Sequence, residues 1–303
     1  MVRIPEAVPP VGFSKPSKID NARCYVRVNG GFGNQLFQYA FARHLCAAHG
    51  LQVDLDVSAY YSAEHLRVEH QRLYLDRLNL PIDFVRLPYW RYEIARRLNS
   101  LPGGVSRALT GLEFRKEGRQ PDPAARSEWN GIVMNGTWQR PDWFHGSSNT
   151  ICSELRDGLD IPEGPTFAEN VISLHVRRGD YLNVGYMALL NYEVLLENAR
   201  QFFKFRLSAS FTFLVFSDDP DWCQEALAGP DVDVFRGDSL LEDFRAMARC
   251  QHHVIANSSF SWWAAYLNPK PDKIVCAPAR WHSSGGSKQI GILPPDWHVL
   301  ADT

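Results

Sequence analysis

Strand-like and helix-like segments alternate through the second half of the chain, and this alternation constrains the fold more than any other feature. Each of the first four strand-like segments precedes a segment with helical periodicity or a helix-start signal. Strands joined by short helices pair in parallel, so we predict a doubly wound α/β sheet. The strand segments are VISLHV (171–176), FTFLVFSDD (211–219), VDVF (232–235), HHVIA (252–256) and KIVCAP (273–278).

The first half of the chain opens in the same way. Strand-like CYVRVN (24–29) runs through GGFGNQ (30–35) into a helical segment. LQVDLDVS (51–58) alternates apolar and polar residues, which predicts a half-buried strand. This pattern indicates a second α/β domain that precedes the first sheet.

A domain boundary is expected in DGLDIPEGPTFAEN (157–170), which has the composition of a linker. We therefore predict an N-terminal α/β domain over residues 22–165 and a C-terminal one over residues 166–303, with a cleft between them. Residues 1–21 are rich in proline and charge and predict a flexible tail, without the apolar core of a signal peptide. No segment approaches the ~20 apolar residues that a spanning helix needs.

HVRRGDY (175–181) ends the first strand of the C-terminal domain on two arginines. Arg178-Gly179-Asp180 is also an adhesion tripeptide, but adhesion requires an exposed flexible loop, and this tripeptide follows directly on a buried strand. A surface salt bridge explains one arginine. Two arginines at the carboxyl end of a parallel strand favour a bound anion, because guanidinium groups match phosphate oxygens bidentately.

NSSFSWWAAYL (257–267) is a second candidate for anion binding. Its polar residues lie at a helix start, where a cap and free N–H groups can hold phosphate oxygens. Core packing explains one or two of its bulky aromatic residues, but the full set beside a cap favours a nucleotide site. The candidate donor contacts are Asn257, Ser258, Ser259, Phe260, Ser261 and Trp262.

GGFGNQ places glycines between a strand and a helix, where the backbone can approach a ligand closely. The dinucleotide fingerprint needs a third small residue at the position of Leu36, so NAD binding is excluded. An ordinary tight turn with Asn34 as helix N-cap is the alternative. The loop residues at issue are Gly31, Gly33, Asn34 and Gln35.

No metal site is predicted. Asp54-Leu55-Asp56 spells the DxD of metal-dependent sugar transferases, and a strand would place both carboxylates on one face. Alternation with the neighbouring apolar residues explains them instead as the solvated side of a strand, and Asp231-Val232-Asp233 is interpreted likewise. The adjacent His252 and His253 point to opposite sides of a strand and cannot share a metal there.

Composition excludes further classes. The net charge of −2 gives no basic excess to neutralise phosphates, so a general nucleic-acid binder is not expected. The six cysteines are scattered without a CxxC motif, which predicts reduced core thiols in a cytosolic protein.

Taken together, these segments resemble the α-1,2-fucosyltransferases of glycosyltransferase family eleven. The matching segments are in order and span roughly residues 24–282. They are GGFGNQLFQYAFA (30–42), GTWQRPDWF (136–144), HVRRGDY (175–181), FSDDPDW (216–222) and ARCQHHVIANSSFSWWAAYLN (248–268), followed by Trp281.

The resemblance implies the GT-B arrangement, in which two Rossmann-like domains with parallel sheets face each other across a cleft. It implies GDP-β-L-fucose as donor, bound by the C-terminal domain, and a terminal β-galactoside as acceptor at its 2-hydroxyl. The transfer would proceed with inversion and without a metal or other cofactor.

By the family pattern, Arg177 stabilises charge on the departing GDP, with Arg178 and His175 in support. Asp180 is the candidate base for the acceptor hydroxyl, and orientation of the arginines is its alternative role. The GGFGNQ loop would face the donor across the cleft. The resemblance also implicates Asp218 and the 257–262 segment in donor binding, and Trp138 and Gln139 in acceptor binding.

Two other classes stay open. One is an enzyme of this architecture with another linkage or GDP-sugar donor, and the other is a non-catalytic glycan-binding protein that stacks sugars on some of its nine tryptophans. Paired strand-end arginines would serve no purpose in the latter. The expected partners are GDP-fucose and a galactoside-containing glycan. The expected location is cytoplasmic, with peripheral association at the inner membrane through a lipid-linked glycan.

Overall fold

The computed structural model describes residues 23–61, 72–98, 103–118, 126–162, 167, 170–183, 185, 187–286 and 291–303. The chain forms two compact units. The first comprises its described residues up to Trp138 together with Trp143–Glu154, and the second comprises Gln139–Asp142 and Leu155–Thr303. The predicted tail and the predicted boundary at 165/166 lie outside the described residues.

The first unit is built on a five-stranded parallel sheet with strand order β3-β2-β1-β5-β4. Strands β2 and β3 lie on one side of β1, and β5 and β4 lie on the other. The loops after β1 and β5 therefore lie at a switch point of the strand order. The strands are β1 (Cys24–Arg27), β2 (Val53–Asp56), β3 (Phe84–Val85), β4 (Glu113–Lys116) and β5 (Ile132–Asn135). The helices are α1 (Phe32–His49), α2 (Tyr89–Arg97), α3 (Gly103–Thr110) and α4 (Ser148–Leu159), which runs on into the second unit.

The interpretation of Asp54 and Asp56 as the solvated side of a strand is wrong. Both are buried, because β2 is an interior strand covered on both faces. Asp54 is paired with Arg23, whose Nη1 lies 3.0 and 3.1 Å from the two carboxylate oxygens. Asp56 accepts hydrogen bonds from the Ser58 N–H and hydroxyl, both at 3.0 Å. Burial raises the pKa of both carboxyl groups.

The predicted N-cap at Asn34 is also wrong. Helix α1 begins at Phe32 with Gly31 in the cap position, so Asn34 lies in the first turn. Gly30 has φ +77°, and a Cβ there would lie 2.8 Å from the Asn34 side chain. The glycine is therefore required both by its backbone conformation and by this close approach.

The second unit contains a six-stranded parallel sheet with order β13-β10-β9-β6-β7-β8. Its strands are β6 (Val171–Val176), β7 (Thr212–Ser217), β8 (Val232–Val234), β9 (His252–Val254), β10 (Val275–Pro278) and β13 (His298–Leu300), and a hairpin of β11 (Arg280–His282) and β12 (Gly285–Gly286) stands apart. The helices are α5 (Tyr192–Arg206), α6 (Pro220–Ala226), α7 (Leu240–Ala248) and α8 (Ser259–Leu267).

The five predicted strands of this half are present, and the predicted α/β class with parallel sheets is confirmed. The strand order is that of the Rossmann sheet, with its switch point between β6 and β9. Helix α6 begins at Pro220, and the Asp219 carboxylate accepts a hydrogen bond from the Trp222 N–H at 3.3 Å. This is the cap that the sequence predicts.

The six cysteines are all free, and five of them are buried. Burial raises the pKa of the Cys250 thiol, and that of Cys276, to about 12. In the described part of the chain, no helix has both the length and the apolar composition required to cross a bilayer.

Candidate active site

Three of the predicted segments meet at the carboxyl edge of the second sheet. Arg177 and Arg178 follow β6, Asp218 and Asp219 follow β7, and the segment from Asn257 follows β9. These strands are direct neighbours at and beside the switch point, where open α/β sheets bind their ligands. The Tyr181 hydroxyl donates to the Asn257 carbonyl at 3.1 Å and joins two of the loops.

Arg177 is held by contacts on both its backbone and its side chain. The Tyr192 hydroxyl accepts from the Arg177 N–H at 2.9 Å and donates to the Arg177 carbonyl at 2.8 Å. The guanidinium Nη1 lies 2.9 Å from Asp218 Oδ2, and the side chain keeps 22% of its surface exposed. The structure therefore orients this cation in advance and leaves part of it accessible.

Asp218 organises the loop that carries the arginines. Its Oδ1 accepts hydrogen bonds from the Arg178 N–H at 3.0 Å and the Gly179 N–H at 3.2 Å. A Cβ at Gly179 would lie 3.0 Å from Asp218 Oδ2, so glycine permits this close approach. All of these contacts are to the arginine loop, so Asp218 orders that loop in this structure, and its predicted contact with the donor stays a prediction.

The Arg178 side chain contacts Asp219 and Trp222, not Asp218. Its Nε is 3.3 Å from Asp219 Oδ2, and its guanidinium carbon is 4.4 Å from the centre of the Trp222 ring. The two arginines are thus anchored separately, one to each of the consecutive aspartates. Asp180 begins a short 3-10 helix (Asp180–Asn183), and its side chain lies outside what the structure describes.

His175 is buried beneath the arginines and is neutral. Its Nδ1 lies 2.9 Å from the Ser261 hydroxyl oxygen. Burial, and then the positive charge of Arg177, lower the pKa of His175 to about 3. An imidazole with this pKa does not carry a proton at neutral pH, so its part is to pack and to hydrogen-bond.

The 257–262 segment is divided between buried and accessible residues. The Asn257 Nδ2 group donates to the Ala188 and Trp281 carbonyls, each at 2.9 Å. Ser258 is the N-cap of α8, with its hydroxyl 3.4 Å from the Phe260 nitrogen. Ser261 is fully buried, whereas Ser259 and Phe260 are half-buried.

Trp262, predicted as a donor contact, has the environment of a core residue. Its side chain is fully buried, and its indole N–H donates to the Ile292 carbonyl at 2.8 Å. Its ring stacks on Tyr266, with centroids 4.6 Å apart. The sequence could not distinguish this residue from its partly exposed neighbour Phe260, because both lie in the first turns of one helix.

Asp243 is a further candidate residue, which the sequence did not reveal. It lies in α7, which follows β8 at the same edge of the sheet, and the ring of the adjacent Phe244 is 5.2 Å from that of Phe260. Asp243 Oδ1 is buried without a hydrogen bond of regular geometry, and the Gly237 backbone N–H is the group that stabilises this carboxylate. Burial raises the pKa of Asp243 to about 6. Buried carboxylates with a raised pKa and incomplete hydrogen bonding are enriched at ligand sites.

In the first unit, the predicted loop residue Gln35 is buried and links the glycine loop to residues 72–74 by hydrogen bonds. Its amide donates to the Gly30 and Arg72 carbonyls at 3.1 and 2.7 Å, and its oxygen accepts from the Tyr74 N–H at 2.9 Å. The Tyr60 hydroxyl also donates to the Gly30 carbonyl, at 2.7 Å. These bonds fix the glycine loop at the carboxyl end of β1.

Trp138, predicted as an acceptor contact, is fully buried and stacks on Phe41 with centroids 3.8 Å apart. It adopts φ +55°, which is rare for a bulky residue. Glu117 holds this conformation by accepting from the Thr137 and Trp138 N–H groups at 3.1 and 3.0 Å. The enclosed ring has no face for a sugar, so Trp138 shapes the loop, and the adjacent Gln139 is half-buried.

The described residues contain no cluster of three or more His, Cys, Asp or Glu side chains suited to a metal ion. His252 and His253 have separate partners. His252 Nδ1 accepts from the Ile274 N–H at 3.0 Å, and His253 lies between Ser173 and Asn268 at 2.8 and 2.7 Å.

Comparison with known proteins places this site in a family. The sequence model of glycosyl transferase family 11 matches residues 113–301, which is more than half of the chain. The chain belongs to glycosyltransferase family 11. The match covers the whole arginine-bearing edge of the second sheet, and it confirms the family resemblance of the sequence motifs.

Two relatives of this family 11 chain are named as α-1,2 sugar transferases. An "Alpha-1,2-colitosyltransferase" from Escherichia coli is 30% identical over 89% of this chain and 96% of its own length. A "Galactoside alpha-(1,2)-fucosyltransferase 1" from Aotus azarae is 32% identical over 42% of this chain and 35% of its own. Among solved structures, the fucosyltransferase NodZ from Bradyrhizobium is 16% identical over 82% of this chain and 93% of its own, with a TM-score of 0.43.

Proposed function

We propose that this family 11 glycosyltransferase moves L-fucose from GDP-β-L-fucose to the 2-hydroxyl of a terminal β-galactoside, with inversion and without a metal ion. The observation that carries the proposal is Arg177, which is oriented by Asp218 and Tyr192 at the carboxyl end of β6. The family membership and the α-1,2 transferases among the relatives support the sugar and the linkage.

The reacting bond joins the fucose anomeric carbon to the β-phosphate. As it breaks, its electron pair goes to the phosphate oxygen, and the acceptor oxygen bonds to the opposite face of the anomeric carbon. A cation that is already oriented at that phosphate stabilises the transition state more than the ground state. We assign this role to Arg177, with Arg178 as a second phosphate contact.

The acceptor hydroxyl must lose its proton during an inverting transfer. His175 is a poor candidate for this step, because it is buried and its Nδ1 is engaged with Ser261. Asp180, in the loop that follows the arginines, is our candidate for the base, with orientation of the arginines as its alternative role.

GDP is expected to stabilise the protein by about 2.7 kcal/mol at a concentration a hundredfold above its Kd. We assign recognition of the base to Asp243, because a carboxylate can accept hydrogen bonds from both the ring N–H and the exocyclic amine of guanine. GDP should therefore raise the melting temperature more than ADP or UDP does at equal concentration. An equal response to all three nucleotides would show that the site recognises phosphate alone.

Asp243→Asn is expected to weaken the preference for GDP and to raise the stability of the protein. The amide cannot accept both guanine hydrogen bonds, so the preference for GDP over ADP should fall. The free energy of unfolding at pH 7 should rise, because the buried charge is removed. Nucleotide titrations and melts of this variant test both, with Asp221→Asn, an exposed carboxylate on α6, as the matched control.

Because the pKa of Asp243 is raised, GDP affinity and the free energy of unfolding should depend on pH in opposite directions. Because the folded pKa lies above the unfolded one, this group's contribution to stability is present below pH 4 and is lost as the pH rises to about 6. GDP affinity should instead fall as the pH drops through 6, because protonation removes an acceptor. Asp243→Asn should flatten both profiles, and unchanged profiles would contradict the assignment.

A second candidate donor is GDP-colitose, because the colitosyltransferase relative is 30% identical across most of this chain. Colitose differs from fucose by the absence of the 3-hydroxyl, so the two donors share the diphosphate and the guanosine. Transfer rates with the two GDP-sugars and one galactoside acceptor would decide between them. We favour fucose, and a much higher kcat/KM with GDP-colitose would reverse the assignment.

Metal independence is tested by chelation. We expect fucosyl transfer to survive an excess of EDTA, because the arginines take the position at the diphosphate that a metal would otherwise occupy. Activity should be measured before and after chelation and again with Mn²⁺ or Mg²⁺ added. A loss that either ion restores would overturn the proposed role of the arginines.

We further propose that the acceptor is a glycan linked to a lipid, which the protein reaches at the cytoplasmic face of the inner membrane. Transfer to a short water-soluble galactoside and to the same galactoside on a lipid anchor in vesicles would test this. The lipid-linked acceptor should have the lower KM. Equal KM values would contradict the membrane setting while leaving the reaction itself intact.

A further inference from the structure

Helices α2 and α3 of the first unit each bury one side and expose apolar residues on the other. On the inner side, Ala95 joins the core cluster with Leu112 and Phe114, and the hydroxyls of Ser106 and Thr110 donate to the Leu112 carbonyl at 2.8 and 3.1 Å. The outer residues form what we call the α2–α3 surface. They are Tyr89, Trp90, Ile94, Val105 and Leu109, of which Tyr89 and Leu109 are each 68% exposed.

Helical spacing places these side chains outward in groups. Trp90 and Ile94 are four residues apart on α2, and Val105 and Leu109 are four residues apart on α3. The two helices pack against each other. Their exposed apolar residues therefore belong to neighbouring elements, whereas a single exposed apolar residue needs no explanation.

Arginines accompany the apolar residues. Residues 89–97, which form α2, contain three arginines and one acidic residue, in a chain whose net charge is −2. Arg91 lies with its guanidinium carbon 5.3 Å from the centre of the Trp90 ring. The Arg97 side chain is 77% exposed, and its contact with Glu93 is a loose 3.9 Å. The surface is thus both apolar and locally basic.

We propose that the α2–α3 surface docks this protein on an anionic membrane. Tryptophan and tyrosine prefer the boundary between headgroups and acyl chains, and arginine places its stem in that boundary while its charge meets lipid phosphate. Two adjacent helices with such side chains outward suit interfacial binding without insertion across the bilayer. This inference goes beyond the proposed reaction and does not require it to be correct.

A second copy of the chain fits the surface less well. In a two-fold dimer the same surface meets itself, so the arginines of one copy would face those of the other. Charge therefore favours a negatively charged partner over a copy of this chain.

The test is co-sedimentation of the full chain with vesicles that contain no glycan. Vesicles of phosphatidylcholine alone are compared with vesicles of phosphatidylcholine and phosphatidylglycerol. We expect binding to the anionic vesicles only, weakening as salt is added. Trp90→Ser combined with Leu109→Ser should lower the partition coefficient about tenfold. Phe205→Ser, which removes a 92% exposed aromatic residue from α5, should not change it.

Melting curves and transfer to a water-soluble galactoside identify folding defects, since neither variant touches the arginine site. The proposal is overturned if wild type does not bind anionic vesicles, or if both variants bind as wild type does. Sedimentation velocity tests whether a second copy of the chain binds this surface instead. If wild type is a dimer and the Trp90→Ser/Leu109→Ser variant is a monomer, the surface is assigned to a second copy. Because no donor or acceptor is present, failure of the proposed reaction would leave the vesicle result unchanged.

Discussion

Arg177→Ala is expected to lower kcat by about 10²–10³, or about 2.7–4 kcal/mol, by analogy with the loss of one oxyanion-hole donor. The reason is geometric, because Asp218 holds this guanidinium and Tyr192 holds the Arg177 backbone at the strand end before any substrate binds. Arg177→Lys keeps the charge but loses the planar fork and should remain well below wild type. Steady-state kinetics measures kcat and thermal melts measure stability, both on the same preparations.

Arg200→Ala supplies a matched control in the same unit. Arg200 pairs with Asp231 at 2.7 Å and with Glu197 at 2.6 Å, and its side chain is 21% exposed, close to the 22% of Arg177. Its loss should lower stability and leave kcat per folded molecule unchanged. If Arg177→Ala behaves like this control, Arg177 is a structural ion-pair residue, and Arg178 becomes the residue to test.

Asp218→Asn is expected to lower kcat by about 10–10², because a displacement of about 1 Å at a reacting centre can cost 10²-fold. The amide keeps one oxygen for the Arg178 and Gly179 N–H groups but turns an NH₂ group toward the Arg177 guanidinium. Two donors then face each other, and Arg177 moves from its position. The KM for a water-soluble galactoside should change less than kcat.

Asp231→Asn is the control for that experiment. Asp231 also pairs with an arginine, but it lies just before β8, at the opposite edge of the sheet from the site. This variant should lose stability without losing kcat. Equal kinetic effects of the two variants would contradict the positioning role of Asp218.

The sequence predicted those parts of the fold that depend on local patterns. The apolar 171–176 segment and its neighbours are strands, and the Asp219–Pro220 pair starts a helix, because caps and short buried strands are encoded by adjacent residues. The sixth strand, His298–Leu300, was not predicted. The convergence of the 177, 218 and 257 segments followed from the rule that parallel strands present their carboxyl ends at one edge.

Burial was the property that the sequence could not supply. Alternating Asp54 and Asp56 match a half-exposed strand, yet β2 is covered on both faces. Trp138 was predicted as an acceptor contact and Trp262 as a donor contact, but contacts with Phe41 and Tyr266 enclose them. Asp243 was overlooked because an acidic residue near a helix start is explained by the helix dipole alone. Only the packing around it reveals a buried carboxylate oxygen without a hydrogen bond of regular geometry.

Transfer of fucose from GDP-fucose to O2 of a β-galactoside is measured by incubating the full chain with GDP-β-L-fucose and a β-galactoside. The linkage of the product is then determined by NMR. We predict a new α-anomeric fucose, with its C1 proton correlated to C2 of the galactose. A fucosylated product with another linkage, or no product under conditions in which GDP is shown to bind, would contradict it.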